Sequence, residues 1–581
     1  MRIAQSDVEN INSQINGFNI ELTNDNIGNI VKGAIEYRKN NVWGDYCDEE
    51  WHLPFEKELI KFSKYYRDHN DLRVAILVDV DVDGYMSSSI IYEALKSMNK
   101  NNDVIPVFPN AKLHGIKANE KLFDGEKYDW IICPDSSSND LVTINKVQSK
   151  GAKVMVIDHH ILENEEFITE NYPNYMVISN QYQDGELNKE LTGSGMAAQV
   201  AKLWIGSDKI PYPDLTAIGQ IADMSDLNDA SIMKIVSYGM ENVSNKMLKS
   251  FFKDDPEKMT IKHIQFSLIP KINAVARIGD HEERKLTFNA LVGIGKTEIV
   301  KKRRKLSDGK MHSVNIEMSV YDRAADMLQK VKSRQDRLVK KALKEIKMLS
   351  NGECQYNIAI LPEKYDKGIA GLVANKMLGN TKKPTLVLKE KGDTLQGSGR
   401  FPGNINGMSL LKKLDGVKFA AGHEQAFGVA LYDDKWNDVA YKIEEYSKSV
   451  PDYEYYVDAG FVNELPTIDD ISEIYRSANI FRGARDEIKI AVIGLKVPKK
   501  DIKLVNNWMS IKMSGITIDD FNVTDELKKY IKSGFSDKTI SFVCSSGFNY
   551  WGKSPVPQLI IDKCVKSDEV KIKQTADNFI F

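Results

Sequence analysis

A chain of 581 residues is too long for a single hydrophobic core, and its length predicts about three or four domains. Hydrophobic residues make up 42% and charged residues 28%, ordinary proportions for a globular protein. A net charge of −3 argues against a protein that coats nucleic acid over its whole surface, so any nucleic-acid groove must be a local basic patch.

In chain order, residues 1–70 read as a helical, polar lead-in with Asn-rich stretches. From Arg73 to Ala222 short β-rich runs alternate with helical patterns. The strand candidates are Arg73–Val78, Val104–Phe108, Tyr128–Cys133, Lys153–Ile157 and Tyr175–Ser179; the helix candidates are Tyr85–Ser97, Asp140–Gln148 and Gly195–Trp204. Such alternation predicts a mainly parallel sheet with helices on both faces over residues 71–226, where ligands bind beyond the carboxyl ends of the strands. Residues 227–351 carry no strand signal and finish in a charged helical stretch, Val314–Leu349, with Ile316, Val320, Ala324, Leu328 and Val331 at helical spacing. They read as a helical connector to a smaller α/β domain, residues 352–450, with Asn357–Leu361 and Thr385–Leu388 as strands. Residues 451–581 offer short β runs between Gly and Pro turns and read as a small β-rich barrel or sandwich. The cysteines Cys47, Cys133, Cys354, Cys544 and Cys564 show no metal-ligand spacing and no paired framework, which suits a cytosol. No apolar leader follows Met1 and no segment has the apolar length of a membrane span, so the expectation is a cytoplasmic protein without membrane contact.

Four acidic or His-bearing clusters follow apolar runs of the first α/β region. They are Asp79-Val80-Asp81-Val82-Asp83-Gly84, Asp135-Ser136-Ser137-Ser138, Asp158-His159-His160, and Asp223. An isolated Asp after a strand is usually a turn residue or helix cap. Four clusters at the ends of successive core elements instead point to a pair of divalent metal ions. Asp81 and Asp83 stand two residues apart and share a face if the chain stays extended, with Gly84 turning it into the next helix. Asp223 lies in an apolar segment, where a charge is costly unless paired or metal-bound.

At these residues the chain resembles the DHH phosphoesterase superfamily, whose name is the triplet seen here as Asp158-His159-His160. Leu191-Thr192-Gly193-Ser194-Gly195 is similar to the Gly-rich helix start that follows the triplet, and Lys271-Ile272-Asn273-Ala274-Val275-Ala276-Arg277 is similar to a segment of the RecJ branch. Gly368-Ile369-Ala370-Gly371, Gly397-Ser398-Gly399-Arg400 and Gly422-His423 with Gly428 resemble the accompanying DHHA1 domain. The resemblance implies a parallel-sheet DHH domain, a long helical connector, a smaller α/β DHHA1 domain and a C-terminal OB-like domain. It also implies two Mn²⁺ or Mg²⁺ ions held by Asp81, Asp83, Asp135, His159 and Asp223. His160 would contact the scissile phosphate, Asp158 would orient the histidines, and Asp79 matches the first Asp of the motif. Ser398, Arg400, His423 and Arg277 would hold nucleic-acid phosphates. The pattern departs at Pro109-Asn110-Ala111, where an arginine is missing and Lys112 or Lys117 would substitute.

The implied activity is a 5′-to-3′ exonuclease for single-stranded DNA in repair, recombination or replication, acting as a monomer, with a single-strand-binding protein or a helicase as partner. Single-strand selectivity would come from a narrow groove lined by basic and aromatic groups, with Lys301-Lys302-Arg303-Arg304-Lys305 as candidates. In the β-rich region Trp508, Phe548, Tyr550 and above all Trp551 are the stacking candidates. Two alternatives stay open: a superfamily enzyme for short oligonucleotides or cyclic dinucleotides, and a non-catalytic relative that clamps single-stranded DNA.

Overall fold

The structure, a computed structural model, describes residues 2–5, 51–109, 113–171, 174–227, 229–253, 261–305, 309–350, 353–403, 405–449, 454–457, 459–472, 474, 489–521, 523–533, 539–549, 556–567 and 571–572. The chain divides into two compact units, Asn40–Asp336 and Met1–Lys39 with Arg337–Phe581. Each is described by itself.

The first unit is built on a five-stranded parallel sheet. Its strands are β1 (Arg73–Leu77), β2 (Asp103–Val107), β3 (Trp130–Pro134), β4 (Lys153–Asp158) and β5 (Met176–Ser179), in the order β2-β1-β3-β4-β5. The strands are near-continuous apolar runs because both faces are covered. Val74, Ile76, Ile132, Met155 and Ile157 point into one core, and Ala75, Leu77, Ile131, Cys133 and Val156 into another. The order reverses between β1 and β3, and the crevice beyond the strand ends at such a reversal is where doubly wound sheets bind ligands. On the larger core pack α1 (Glu56–Asp68), α2 (Val82–Met98), α3 (Gly193–Ile205) and α4 (Pro213–Ala222). Helix α2 is buried along nearly its whole length, so its first turn is held fast at the carboxyl end of β1.

The connector departs from the expected all-helical segment. Short helices between Ala230 and Leu291 are followed by an antiparallel hairpin, Glu298–Lys305 with Met311–Met318, and only then by a 26-residue helix, Val320–Glu345. Lys301, Lys302 and Arg303 therefore lie on a strand, as does Ile316. The charge density of these strands hides their period of two, and the turn chemistry of Asp308-Gly309 is the sequence signal that competes with a helix. The long helix buries Val320, Ala324, Leu328 and Val331 as its spacing predicts.

In the second unit a six-stranded mixed sheet runs Val417–Gly422, Ala426–Tyr432, Thr394–Arg400, Thr385–Lys391, Asn357–Ile360 and Lys347–Met348. Helices Ala370–Thr381 and Trp436–Ser449 accompany it, as expected of a second α/β domain. The β-rich region forms a seven-stranded sheet from Ala459–Val462 to Ile502–Val505, and the helix Asp525–Lys532 adds Leu527 and Ile531 to its core. Arg2–Gln5 is a strand between Glu454–Val457 and Lys571–Ile572, not part of a helical lead-in. Its partners are far away in sequence, and local propensity cannot see them. Among the described residues no helix is long and apolar enough to cross a membrane.

Candidate metal centre

The centre assembles at the carboxyl ends of β1, β3 and β4, beside the first turns of α2 and α3 and the end of α4. Asp79 follows β1 and is buried. Asp81 is the N-cap of α2, its Oδ1 accepting the Gly84 N–H at 3.0 Å. Asp83 sits inside the first turn, so Asp81 and Asp83 do not share an extended face as the sequence suggested. The Asp81 cap starts the helix earlier, which satisfies an amide that a longer strand would leave unpaired. Gly84 is then needed for space, because a Cβ there would lie 2.6 Å from the Asp79 Cβ and 2.9 Å from its backbone.

Asp83 Oδ1 accepts the Thr192 hydroxyl and the Ser194 N–H, each at 3.0 Å, at the start of α3. Its Oδ2 has no hydrogen-bond partner although fully buried. Asp135, just beyond β3, has a second orphaned buried oxygen, Oδ1. His159 Nε2 lies 3.2 Å from that oxygen without hydrogen-bonding alignment, and 3.6 Å from Asp223 Oδ2 at the end of α4. Asp158 ends β4 and is committed elsewhere: Oδ1 accepts the His159 N–H at 2.8 Å and His160 Nδ1 at 2.7 Å, and Oδ2 accepts the Ser138 N–H at 3.1 Å.

The electrostatics follow from crowding carboxylates out of water. Burial, and then the charges of Asp83 and Asp81, push Asp135 well above the usual carboxylate range and Asp223 up to about 7. Burial also raises Asp79 and Asp83. For Asp158 burial acts upward too, but the His160 hydrogen bond and charge outweigh it and hold the carboxylate well down. The same hydrogen bond raises His160 to about 9. Burial lowers His159, which keeps its imidazole neutral, the form that binds a metal.

The residues fit divalent cations. Two buried carboxylate oxygens lack a hydrogen-bond partner, and a buried charge is costly until an ion or proton meets it. One ligand atom each from Asp79, Asp81 and Asp135 lies within 4.8 Å of the others, and so do those of Asp135, Asp158, His159 and His160. The two groups share Asp135. Hard oxygens with one imidazole suit Mn²⁺ or Mg²⁺. A cradle also shapes the place: a Cβ on Gly193 would lie 2.4 Å from Asp135 Oδ1.

Asp79, Asp81, Asp135, Asp158, His159 and His160 make up these two groups, Asp223 adjoins them through His159, and the charge of Asp83 acts on both Asp135 and His159. Arg277, at the end of the helix Ile269–Ile278, is close enough to Asp81 for the charges to attract. Ser398 and Arg400 share one face of the strand Thr394–Arg400 in the second unit, and both lie over Gly371, where a Cβ would be 2.7 Å from Arg400 Nη2 and 3.4 Å from Ser398 Oγ. The strand's register puts Arg400 opposite Ala426, whose N–H reaches back to the His423 carbonyl at 3.3 Å. Lys112, Tyr550 and Trp551 lie outside the described residues. Trp508 donates from Nε1 to Asp519 at 3.0 Å, and Lys503 lies over its ring. Sequence reasoning missed three participants. Thr192 and Ser194 sit within the quoted glycine-rich stretch, and His114 precedes Gly115 in the loop after β2.

The chain is similar to several known proteins. Residues 73–223 match the DHH family, N-terminal domain. A SPbeta prophage-derived protein of Bacillus subtilis (strain 168), YorK, assigned as a single-strand DNA-specific exonuclease, is 29% identical over 62% of this chain and 64% of its own length. The single-stranded-DNA-specific exonuclease RecJ of the same bacterium is 25% identical over 85% of this chain and 62% of its own length. The chain thus matches less than two thirds of each of these relatives. Among solved structures, RecJ of Thermus thermophilus in complex with Mn²⁺ superposes with a TM-score of 0.68 at 16% identity, covering 94% of this chain and 77% of that one. Its complex with Mg²⁺ gives 0.63 at 17% identity, covering 94% and 75%. Residues 73–223 thus match a DHH-family N-terminal domain, and the chain shares the fold of these RecJ structures.

Proposed function

We propose that this chain is a metal-dependent exonuclease for single-stranded DNA, hydrolysing phosphodiester bonds in the 5′-to-3′ direction. The observation that carries the proposal is the pair of buried oxygens without a hydrogen-bond partner, on Asp83 and Asp135, within a cluster of carboxylates and one neutral imidazole. Such a cluster is unstable without cations and has the donor set of a phosphoesterase. When bound, two divalent ions supply a lowered water pKa and neutralise charge on the phosphate.

The protein's own residues do the rest. Asp81, Asp83, Asp135, His159 and Asp223 hold the ions. Asp158 fixes the His160 ring through Nδ1, so that its far edge presents a donor to the phosphate. Asp79 belongs to the same cluster. Arg277, and Ser398, Arg400 and His423 of the DHHA1-like domain, bind strand phosphates. Both relatives are named for single-strand-specific exonucleases, which favours this substrate over cyclic dinucleotides. The retained acidic set speaks against a purely DNA-clamping relative. The setting would be cytoplasmic DNA repair, recombination or replication, with a single-strand-binding protein or helicase as partner.

The test is digestion of single strands labelled at either end, with and without a 5′-phosphate, in Mn²⁺, in Mg²⁺ and in chelator. Release of mononucleotides from the 5′ end only with metal is the expected result. No metal-dependent cleavage of any single strand would overturn the proposal.

A further inference from the structure

Two buried carboxylates of the centre each hold an exposed imidazole in the same manner. Asp158 takes Nδ1 of His160 at 2.7 Å, and Asp79 takes Nδ1 of His114 at 2.8 Å. The aspartates are 1% and 2% exposed, and the imidazoles 61% and 63%. With Nδ1 turned inward, the far edge of each ring, Nε2, is left for a ligand. The two aspartates belong to neighbouring groups of the centre that share Asp135.

His114 is not on a loose loop. The Ile116 N–H donates to Ser137 Oγ at 2.9 Å, the Lys117 N–H to Asp140 Oδ2 at 3.1 Å, and Asn119 Nδ2 to the Leu113 carbonyl at 2.6 Å. Gly115 stands at φ 70°, where a Cβ would meet Asp140 Oδ2 at 2.6 Å. The serine-rich turn after β3 thus grips the segment carrying His114 and sets its ring against Asp79.

We propose that His114 is a second phosphate-contacting imidazole, donating Nε2–H to a non-bridging oxygen of the substrate strand beside the phosphate met by His160. It takes the part for which the sequence suggested Lys112 or Lys117. The assignment rests on the nuclease reading and refines its substrate contacts. With Asp79 on one edge and a phosphate oxygen on the other, both ring nitrogens keep their protons, and the bond is charge-assisted.

The test uses the full-length protein as wild type, His114→Ala and His114→Arg. Binding of a phosphorothioate-linked single strand in Mn²⁺ is followed by anisotropy across a salt series, and Mn²⁺ affinity by calorimetry. His114→Ala is expected to weaken strand binding about ten- to a hundredfold. It should also flatten the slope of log affinity against log salt by about 0.7, with Mn²⁺ affinity retained. His114→Arg, which can pair with Asp79 and still donate, is expected to regain most of both. Wild-type affinity and slope in His114→Ala overturn the inference, even where the wild type degrades an ordinary strand. So does a joint loss of Mn²⁺ and strand affinity that His114→Arg fails to restore, since that marks a purely structural hold on Asp79. Conversely, the expected pattern in a protein that cleaves nothing keeps the contact and removes the nuclease.

Discussion

Asp135 combines a strained backbone with a buried oxygen that has no hydrogen-bond partner. Its backbone stands at φ 62°, a left-handed conformation that a non-glycine residue adopts at a cost of about 1–2 kcal/mol. Asp135→Asn removes the charge but keeps the shape. The metal-free variant should melt no lower than wild type, while its cleavage falls more than about 100-fold. Wild-type protein at 100 times the Mn²⁺ dissociation constant gains about 2.7 kcal/mol, and the variant should lose most of that rise when melting is followed by calorimetry. The titrations have a definite sign. Asp223, raised by burial to about 7, binds its proton more tightly folded than unfolded. Its contribution to the metal-free fold is complete below the ordinary value of 3.8 and is lost as the pH rises through about 7. His160, raised to about 9 by its bond to Asp158, contributes fully below 6.5 and loses this through about 9. Asp158, held low, contributes above its ordinary 3.8 and loses this only as the pH falls to its folded value. Metal-free protein should therefore melt at falling temperatures from about pH 4 to about pH 9, and Mn²⁺ should flatten the lower part of that decline.

At the scale of elements, what matters is how closely α3 approaches the end of β3. Gly193 opens the helix where any side chain would strike Asp135, and Gly219 of α4 would place a Cβ 2.2 Å from Asp83 Oδ1. Neither position is in the left-handed region. The demand is for space. Gly193→Ala should leave far-UV circular dichroism intact and displace Asp135, cutting Mn²⁺ affinity about 10- to 100-fold in calorimetry. Unchanged affinity would show that Asp135 is not a ligand. The elements themselves were largely readable: the strands of the first sheet, α2 and α3 begin and end within a few residues of where apolar runs and helical spacing place them. The hairpin of the connector was not. Eight residues of Glu298–Lys305 hold five lysines and arginines, and a strand without an apolar face has no period for a reader to find.

For the whole molecule, the metal cluster falls in one unit and the Ser398, Arg400 and His423 group in the other. Arg400→Ala should therefore leave the Mn²⁺-induced rise in melting temperature unchanged while raising KM for a single strand about tenfold, the worth of one charge-assisted hydrogen bond. A lost metal response would contradict that division of labour. By itself the sequence marked the residues that make up the centre. Asp79, Asp81, Asp83, Asp135, Asp158, His159, His160 and Asp223 are each marked by the apolar run before them or by the motif around them, because burial writes itself locally as hydrophobic pattern. Only the tertiary structure decided which oxygens are left without a hydrogen-bond partner, that Asp83 leans on Thr192 and Ser194, and that His114 docks on Asp79. Those facts depend on the strand order and on how closely helices pack against strand ends. Residues from distant parts of the chain meet there, and no local pattern records the meeting.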